Sequence, residues 1–482
     1  MNQNIVVYGT GQWGTLICDK IVRDGETLAA VIDSNPEKWG TLFCGMRIMS
    51  PLFFENYSGE QIFIAIANES ESEKIIGKLK STGIDENNIW DLIRIKREFL
   101  SVFPTNQVVI PDRNPQVLFD CMAGLGLGGV EEWTKRITVS LEQCSVEVKI
   151  LTRDGDYLLD EKTRQKTIFV KQSKGNPYEE KNLIELYKVI SGMMPCILVT
   201  SDINSLFIVA QVLKKDYPEK IHIISVVHSG IIQLYYRYGR YQDLVDKYIV
   251  VSHEIEAGMI CAGICKKKIV FSDFFIDTDE TLVRKYSDIS KPIQIAYAGR
   301  LTISLKRLDL IIKLMEELEK RDVRYEFKIA GDGDYVQNIL QYIREKGLQT
   351  KVNVIGRIKH EEMRNFWKSA DIAVNISDVE GICLSNLEAM AEGCVPIITQ
   401  TSAKEYIIDG ENGFLVPIGD YRRMAEIIKY IEDNRSLLDK MGWKAYQTIH
   451  INCTKDREMR VWKRVIGGIY NEFTFVGYNS DI

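Results

Sequence analysis

The chain has 482 residues, and 61 Lys and Arg set against 67 Asp and Glu give a formal net charge of −6. Hydrophobic residues are 45% and charged residues 27%, proportions of a globular chain with a sizeable core, which excludes a disordered, collagen-like or coiled-coil protein. The slight acidity offers no basic field for nucleic acid, and no apolar run nears the ~18 residues that span a bilayer.

The first residues, MNQNIVVYG, enter a strand pattern at once, without a basic segment followed by an apolar one, so no signal peptide is expected. Ten cysteines form no CxxC pair; Cys261 and Cys265 in CAGIC lack a partner pair, and reduced thiols in a cytoplasm are the expectation.

Strand-like runs then alternate with helical patterns, the rhythm of βαβ units and parallel sheets. Strand NIVVY, a glycine turn, helix TLICDKIVRD and strands LAAVID and QIFIAIAN predict a small Rossmann-like domain over 1–103. Residues 104–116 hold Pro104, Pro111 and Pro115, three of eleven prolines, and read as a linker. Strands VLFDCM, CILVTSD, IHIISVVHS and YIVVSHE predict a second α/β domain over 117–285. Strands IQIAYAG, YEFKIAG, KVNVIG, DIAVNIS and VPIIT, with helices LDLIIKLMEELEKR and RMAEIIKYIED, predict a third over 286–454. A terminal amphipathic helix over 455–473 is expected to pack back on the second domain. The fold class is α/β, and ligands should meet the loops that follow the strands.

Four loops carry chemistry. Gly9, Gly11 and Gly14 form GTGQWG after the first strand, and Asp33 ends the next. Such a turn admits a phosphate at the helix start and a ribose at the acid, or serves packing alone. Gly124, Gly126, Gly128 and Gly129 precede a helix and leave backbone open to a diphosphate or an acceptor hydroxyl. Arg300 follows a strand, and Lys306 or Arg307 opens the next helix; such cations stabilise a departing diphosphate without metal. Glu380 and Gly381 form a loop before a helix carrying Glu388. Eight residues, up to ~12 Å along a helix, suit two acids at the ends of one long ligand. Between them the amides of Ile382, Cys383 and Leu384 are donors at a helix start.

With GGVE, AGR and its following Lys, AGDGD, the two glutamates and ENGFLV in this order, residues 117–475 resemble retaining glycosyltransferases of the family 4 type, with the GT-B fold of two facing Rossmann-like domains. The resemblance implies a hexosyltransferase that takes a nucleotide sugar (UDP- or GDP-sugar) as donor, needs no cofactor or metal, and retains the anomeric configuration. It implies that Arg300 and Lys306 hold the diphosphate, that Glu380 meets sugar hydroxyls and Glu388 the ribose, and that Gly128 and Gly129 approach the phosphate or acceptor. It also implies that the base lies near Gly356 and Arg357 and that His228 contacts the donor sugar. Cys383 stands where that family often has glycine or an aromatic residue. The expected acceptor is a glycan or polyprenyl-linked saccharide in bacterial surface polysaccharide synthesis. The expected location is the cytoplasm, with peripheral contact at the inner membrane face. The first 103 residues resemble small Rossmann-like domains fused to or beside bacterial sugar-processing enzymes.

Three DxD strings, Asp154–Asp156, Asp277–Asp279 and Asp332–Asp334, fall in turns and read as turn residues rather than metal ligands. In LYYRYGRYQDL, Tyr235, Tyr236, Arg237 and Arg240 suit either an acceptor or membrane surface or a packed helix. Two other functions stay open: a non-catalytic nucleotide-sugar-binding subunit of another transferase, and a bifunctional enzyme whose first domain oxidises or epimerises the sugar.

Overall fold

The computed structural model describes residues 4–95, 98, 108–122, 124–125, 128–155, 159–171, 179–201 and 205–470. Gly126, Asp156, Pro104 and the last three residues of the expected terminal helix lie outside them. The chain divides into two compact units: Met1–Val109 with Gln172–Ser191 and Asn204–Leu213, and the remainder.

In the first unit, β1 (Asn4–Tyr8), β2 (Thr27–Ile32), β3 (Leu42–Phe43), β4 (Met46–Met49), β5 (Gln61–Ile64) and β6 (Ile89–Trp90) form one sheet in the order β3-β4-β2-β1-β5-β6. All its pairs are parallel except β3–β4. That hairpin turns through Cys44 at φ +50° and Gly45 at φ +80°, the two positive dihedrals that match the twist of paired strands. Val6, Val7, Ile62 and Ile64 are buried, as expected for a parallel sheet covered on both faces.

The second unit holds two parallel sheets. The first contains β7 (Gln116–Cys121), β8 (Val148–Arg153), β9 (Thr167–Val170), β10 (Cys196–Thr200), β11 (Ile221–Val227), β12 (Lys247–Val250) and β13 (Ile269–Phe271), ordered β13-β12-β11-β10-β7-β8-β9. The second contains β14 (Ile293–Ala298), β15 (Tyr325–Ala330), β16 (Val352–Gly356), β17 (Ile372–Asn375), β18 (Val395–Thr399) and β19 (Phe414–Val416), ordered β16-β15-β14-β17-β18-β19. Every residue of β10 and β18 is buried, which is why CILVT and VPIIT read as unbroken apolar runs. Helix Leu308–Lys320 buries Leu308, Ile311, Leu314, Met315 and Leu318, a 3–4 spacing that turns one apolar stripe onto the core shared with Tyr297 and Phe327.

Each of these sheets is doubly wound, so the chain reverses direction across it between β7 and β10 and between β14 and β17. Loops leaving the carboxyl ends of such neighbouring strands diverge and open a crevice. The terminal helix Lys455–Ile469 lays Trp462 against Phe119 of β7 at 5.8 Å and Trp133 at 5.9 Å between ring centroids. The last helix of the chain thus packs on the first of the two sheets.

Candidate active site

The loop after β14 and the loop after β17 lie side by side because their strands pair, Ala296 opposite Ala373. They are stitched together. The Asp378 amide donates to the Leu305 carbonyl at 2.8 Å, and the Arg307 guanidinium reaches both Asp378 oxygens at 3.1 Å and Asp309 at 3.0 Å. Leu305 and Arg307 sit in the left-handed region at φ +62° and +53°, which costs a non-glycine residue about 1 kcal/mol or more each. Between these two strained residues, Lys306 directs its ammonium to Glu380 Oε1 at 2.5 Å. Arg307 is therefore engaged in holding the loops, while Lys306 is paired with Glu380.

Glu380 Oε1 also accepts from Ser377 Oγ at 2.7 Å and Asn375 Nδ2 at 3.3 Å. Both donors are buried, Asn375 ending β17 and Ser377 following it, and Asn375 Nδ2 donates as well to Cys383 Sγ at 3.0 Å. Burial pushes the Cys383 thiol up, with the Glu380 charge adding to it, so that thiol is a packed neutral group. Helix Leu384–Ala391 starts here, and the amides of Ile382, Cys383 and Leu384 donate no hydrogen bond among the described residues. Three unused amides beside a lysine form a seat for an anion.

Arg300 lies at the same crevice with an exposed side chain. Its carbonyl accepts from the Tyr297 hydroxyl at 3.2 Å. The AGDGD turn nests against this loop: the Leu301 amide donates to the Asp332 carbonyl, and a Cβ on Gly331 would fall 1.8 Å from the Gly299 oxygen. Gly356 ends β16, its carbonyl accepting from the Gly331 amide, and Arg357 pairs with Asp332 at 3.1 Å. The Gly356–Arg357 pair thus borders the β15 loop, on the sheet's far side from Glu380.

The first sheet meets this site at two points. A Cβ on Gly381 would fall 1.7 Å from the His228 carbonyl oxygen, and one on Gly129 would fall 3.3 Å from Leu384 Cδ1. The loop after β11 and the helix start after β7 therefore face the acidic loop and its helix. The His228 imidazole lies edge to face with Trp133 at 4.7 Å and near-parallel to Phe274 at 5.9 Å. Its buried Nε2 has no hydrogen bond among the described residues. Burial lowers its pKa to about 3, so it is neutral at physiological pH. Glu388 stands one turn into its helix, 3.9 Å from His360 Nδ1. Burial pushes the Glu388 carboxyl up, and the charges of His360 and Arg136 pull against that rise. Asn375, Ser377, Asp378 and Arg136 were not visible as site residues from spacing; the only sequence signal was a polar strand end, NIS, after an apolar run.

In the first unit, Asp33 already has partners for its carboxylate. It accepts from Lys38 Nζ at 2.9 Å, the Asn35 amide at 2.9 Å, and both the amide and hydroxyl of Thr10. Burial alone would raise its pKa, but these hydrogen bonds outweigh it and the net shift is downward. A Cβ on Gly9 would fall 2.8 Å from Ile66 and one on Gly14 2.1 Å from the Gly9 oxygen, whereas Gly11 faces open space. Gly9 and Gly14 are thus required by packing. Among the described residues no group of three or more His, Cys, Asp or Glu is arranged to hold a metal, and no helix is long and apolar enough to cross a membrane. Asp279 pairs with Arg364 at 2.8 Å. In helix Ile232–Arg240, Tyr235 and Arg237 are buried and Tyr236 is exposed.

Residues 279–448 match the family model for glycosyl transferases group 1, and residues 1–90 match that for C2185-like, N-terminal. A poly(ribitol-phosphate) alpha-N-acetylglucosaminyltransferase of Staphylococcus aureus is 24% identical over 225 residues, 45% of this chain and 45% of that protein. The amylovoran biosynthesis glycosyltransferase AmsK of Erwinia amylovora is 27% identical over 178 residues, 35% of this chain and 43% of that protein. The matched segment thus spans under half the length of these curated relatives. The structure of Anabaena HepE in complex with UDP and glucose aligns at a TM-score of 0.61 and 14% identity, over 73% of this chain and all of that one. The fold is GT-B. Residues 279–448 are thus similar to glycosyl transferases group 1, and the relatives matched include proteins named for polysaccharide biosynthesis.

Proposed function

We propose that the protein transfers a hexose from a nucleoside-diphosphate sugar, a UDP- or GDP-sugar, to a glycan or polyprenyl-linked acceptor, without metal and with retention of configuration. The observation that carries this reading is the cluster of Lys306, Glu380 and the three unused amides of Ile382, Cys383 and Leu384 at the junction of β14 and β17. An ammonium and helix-start amides match a diphosphate; a carboxylate anchored by Ser377 and Asn375 matches sugar hydroxyls. HepE, whose solved complexes contain UDP with glucose and UDP-glucose, has the same fold.

Transfer proceeds on one face of the sugar. The bond from the anomeric carbon to the diphosphate oxygen breaks and its electron pair leaves with the diphosphate. An acceptor hydroxyl oxygen bonds to the same face, and its proton passes to the departing phosphate oxygen. Lys306, Arg300 and the amides stabilise the growing negative charge, the term that usually dominates such barriers. Neutral His228 supplies a ring nitrogen near the sugar rather than a charge. Glu388 meets the ribose, and the Gly356–Arg357 turn borders the base. The acceptor approaches from the first sheet, past Gly128 and Gly129, in surface polysaccharide synthesis on the cytoplasmic side of the membrane. The amino-terminal Rossmann-like segment over 1–103 has its glycine turn closed on Asp33, which favours a structural use of that motif.

The test is a panel of nucleotide sugars with saccharide acceptors, reading released nucleoside diphosphate and the anomeric configuration of the product by NMR. Acceptor-dependent release with a retained anomer supports the proposal; donor binding without release across the panel would instead identify a nucleotide-sugar-binding subunit.

A further inference from the structure

One buried acid is left unused by the transfer chemistry. Glu458 sits on the terminal helix with only 4% of its surface exposed, beside Trp133 and within reach of the Arg136 and Asp273 charges. Its Oε1 accepts the Trp133 indole N–H at 3.0 Å, and the Phe275 amide also donates to it. A buried carboxyl group is costly to desolvate.

The hydrogen bond leads toward the site. Trp133 belongs to helix Gly129–Glu142, which begins at the glycine loop. Its other neighbours, Phe119 at 6.1 Å, Phe274 at 6.0 Å and Trp462 at 5.9 Å, make only apolar ring contacts with it. Such contacts tolerate rotation; a hydrogen bond does not. The same indole meets the His228 ring at 4.7 Å. His228 Nε2 has no hydrogen bond among the described residues, so its ring is held by Trp133 and Phe274.

We propose that Glu458 is a positioning residue for transfer: it fixes the Trp133 indole and, through that ring, the place of the imidazole of His228, the residue whose carbonyl backs onto Gly381. The kinetic part of this proposal rests on the reading that His228 contacts the donor sugar. The helix that ends the described chain would then be part of the active site's support and not merely a strap.

The test uses the full chain labelled at histidine. Glu458 is not among the ring contacts of His228, so a shift of the His228 NMR signal, assigned by its loss in His228→Ala, reaches it through Trp133 or, by way of the Phe275 amide, through Phe274. Trp133→Phe, which removes only the indole N–H, should reproduce the shift if the Trp133 route carries it. Glu458→Ala should shift that signal and lower kcat at least 10-fold with donor KM changed less than 3-fold. Glu458→Gln, which keeps an acceptor for the indole, should recover most of the loss. The double variant Glu458→Ala/His228→Ala should be no slower than His228→Ala alone. An unmoved signal, or losses that multiply in the double variant, would overturn the proposal. If His228→Ala turns over normally, the role of His228 fails, while the NMR shift still decides whether Glu458 positions the ring. Should Glu458→Ala not fold, Trp133→Phe removes the N–H, keeps a ring and carries the same kinetic test.

Discussion

Gly381 lies against His228 so closely that the smallest side chain would collide with it, its Cβ falling 1.7 Å from the His228 carbonyl oxygen. The acidic loop of one sheet and the β11 loop of the other therefore meet backbone to backbone, and neither main chain can give way cheaply. Gly381→Ala should push the two loops apart by about 1 Å, a displacement able to cost on the order of 100-fold in turnover. The measurement is kcat beside the melting temperature; unchanged turnover in a folded protein would show that this contact does not shape the site.

Lys306 and Glu380 are held together at 2.5 Å, and each should matter to chemistry more than to folding. Lys306→Ala removes the ammonium proposed to stabilise the leaving diphosphate and should reduce kcat by about 10²–10³, the range found when one oxyanion donor is removed. Lys306→Arg should recover little, because the planar guanidinium does not reproduce a compact ammonium. Glu380→Ala should lower kcat/KM for the donor by a similar factor. Near-normal rates in either variant would contradict the assigned roles.

Glu458 gives a pH signature in stability. Burial, opposed by the Trp133 hydrogen bond and the Arg136 charge, raises its pKa to about 7. The folded state then binds a proton more tightly than the unfolded chain, so the group costs nothing below its ordinary pKa and progressively destabilises the fold as pH rises toward 7. The full cost is on the order of 3 kcal/mol. Glu458→Gln should flatten the decline in unfolding free energy between pH 5 and 7. Parallel curves for the two proteins would be the contrary result.

Asp33 shifts the opposite way, its pKa lowered by the hydrogen bonds that outweigh its burial. Its stabilisation is present above the ordinary carboxylate pKa and is lost as pH falls below it. Asp33→Ala should lower stability by about 1 kcal/mol at pH 7, as its hydrogen bonds with Thr10, Asn35 and Lys38 are lost, with the difference shrinking in acid. Normal stability combined with weakened nucleotide binding would instead mark the glycine turn as a ligand site.

Much of this architecture was readable in the sequence, and the gaps have physical causes. The apolar runs CILVT and VPIIT became fully buried strands because nothing polar interrupts them. Strands β8 and β9 were missed: VKILTR carries charge at both ends, and TIFV directly follows the short helix Glu161–Lys166. The β3–β4 hairpin was missed because its turn uses Cys44-Gly45 rather than an Asn-Gly pair. At the site, Glu380 stood out after its strand end, whereas spacing left Lys306 and Arg307 open and only the family resemblance chose Lys306. The residues that aim them did not stand out, since Asp378 meets Arg307 only through the fold. The link from Glu458 to Trp133 joins positions 325 residues apart, beyond any local pattern.

The most direct measurement is a crystal structure of the protein with a bound nucleotide sugar, chosen from the panel by thermal shift. Its diphosphate should lie within hydrogen-bonding distance of Lys306 Nζ and the amides of Ile382, Cys383 and Leu384, with the sugar hydroxyls on Glu380. A diphosphate seated elsewhere, for example at the Gly9–Gly14 turn with the β14–β17 crevice untouched, would contradict it.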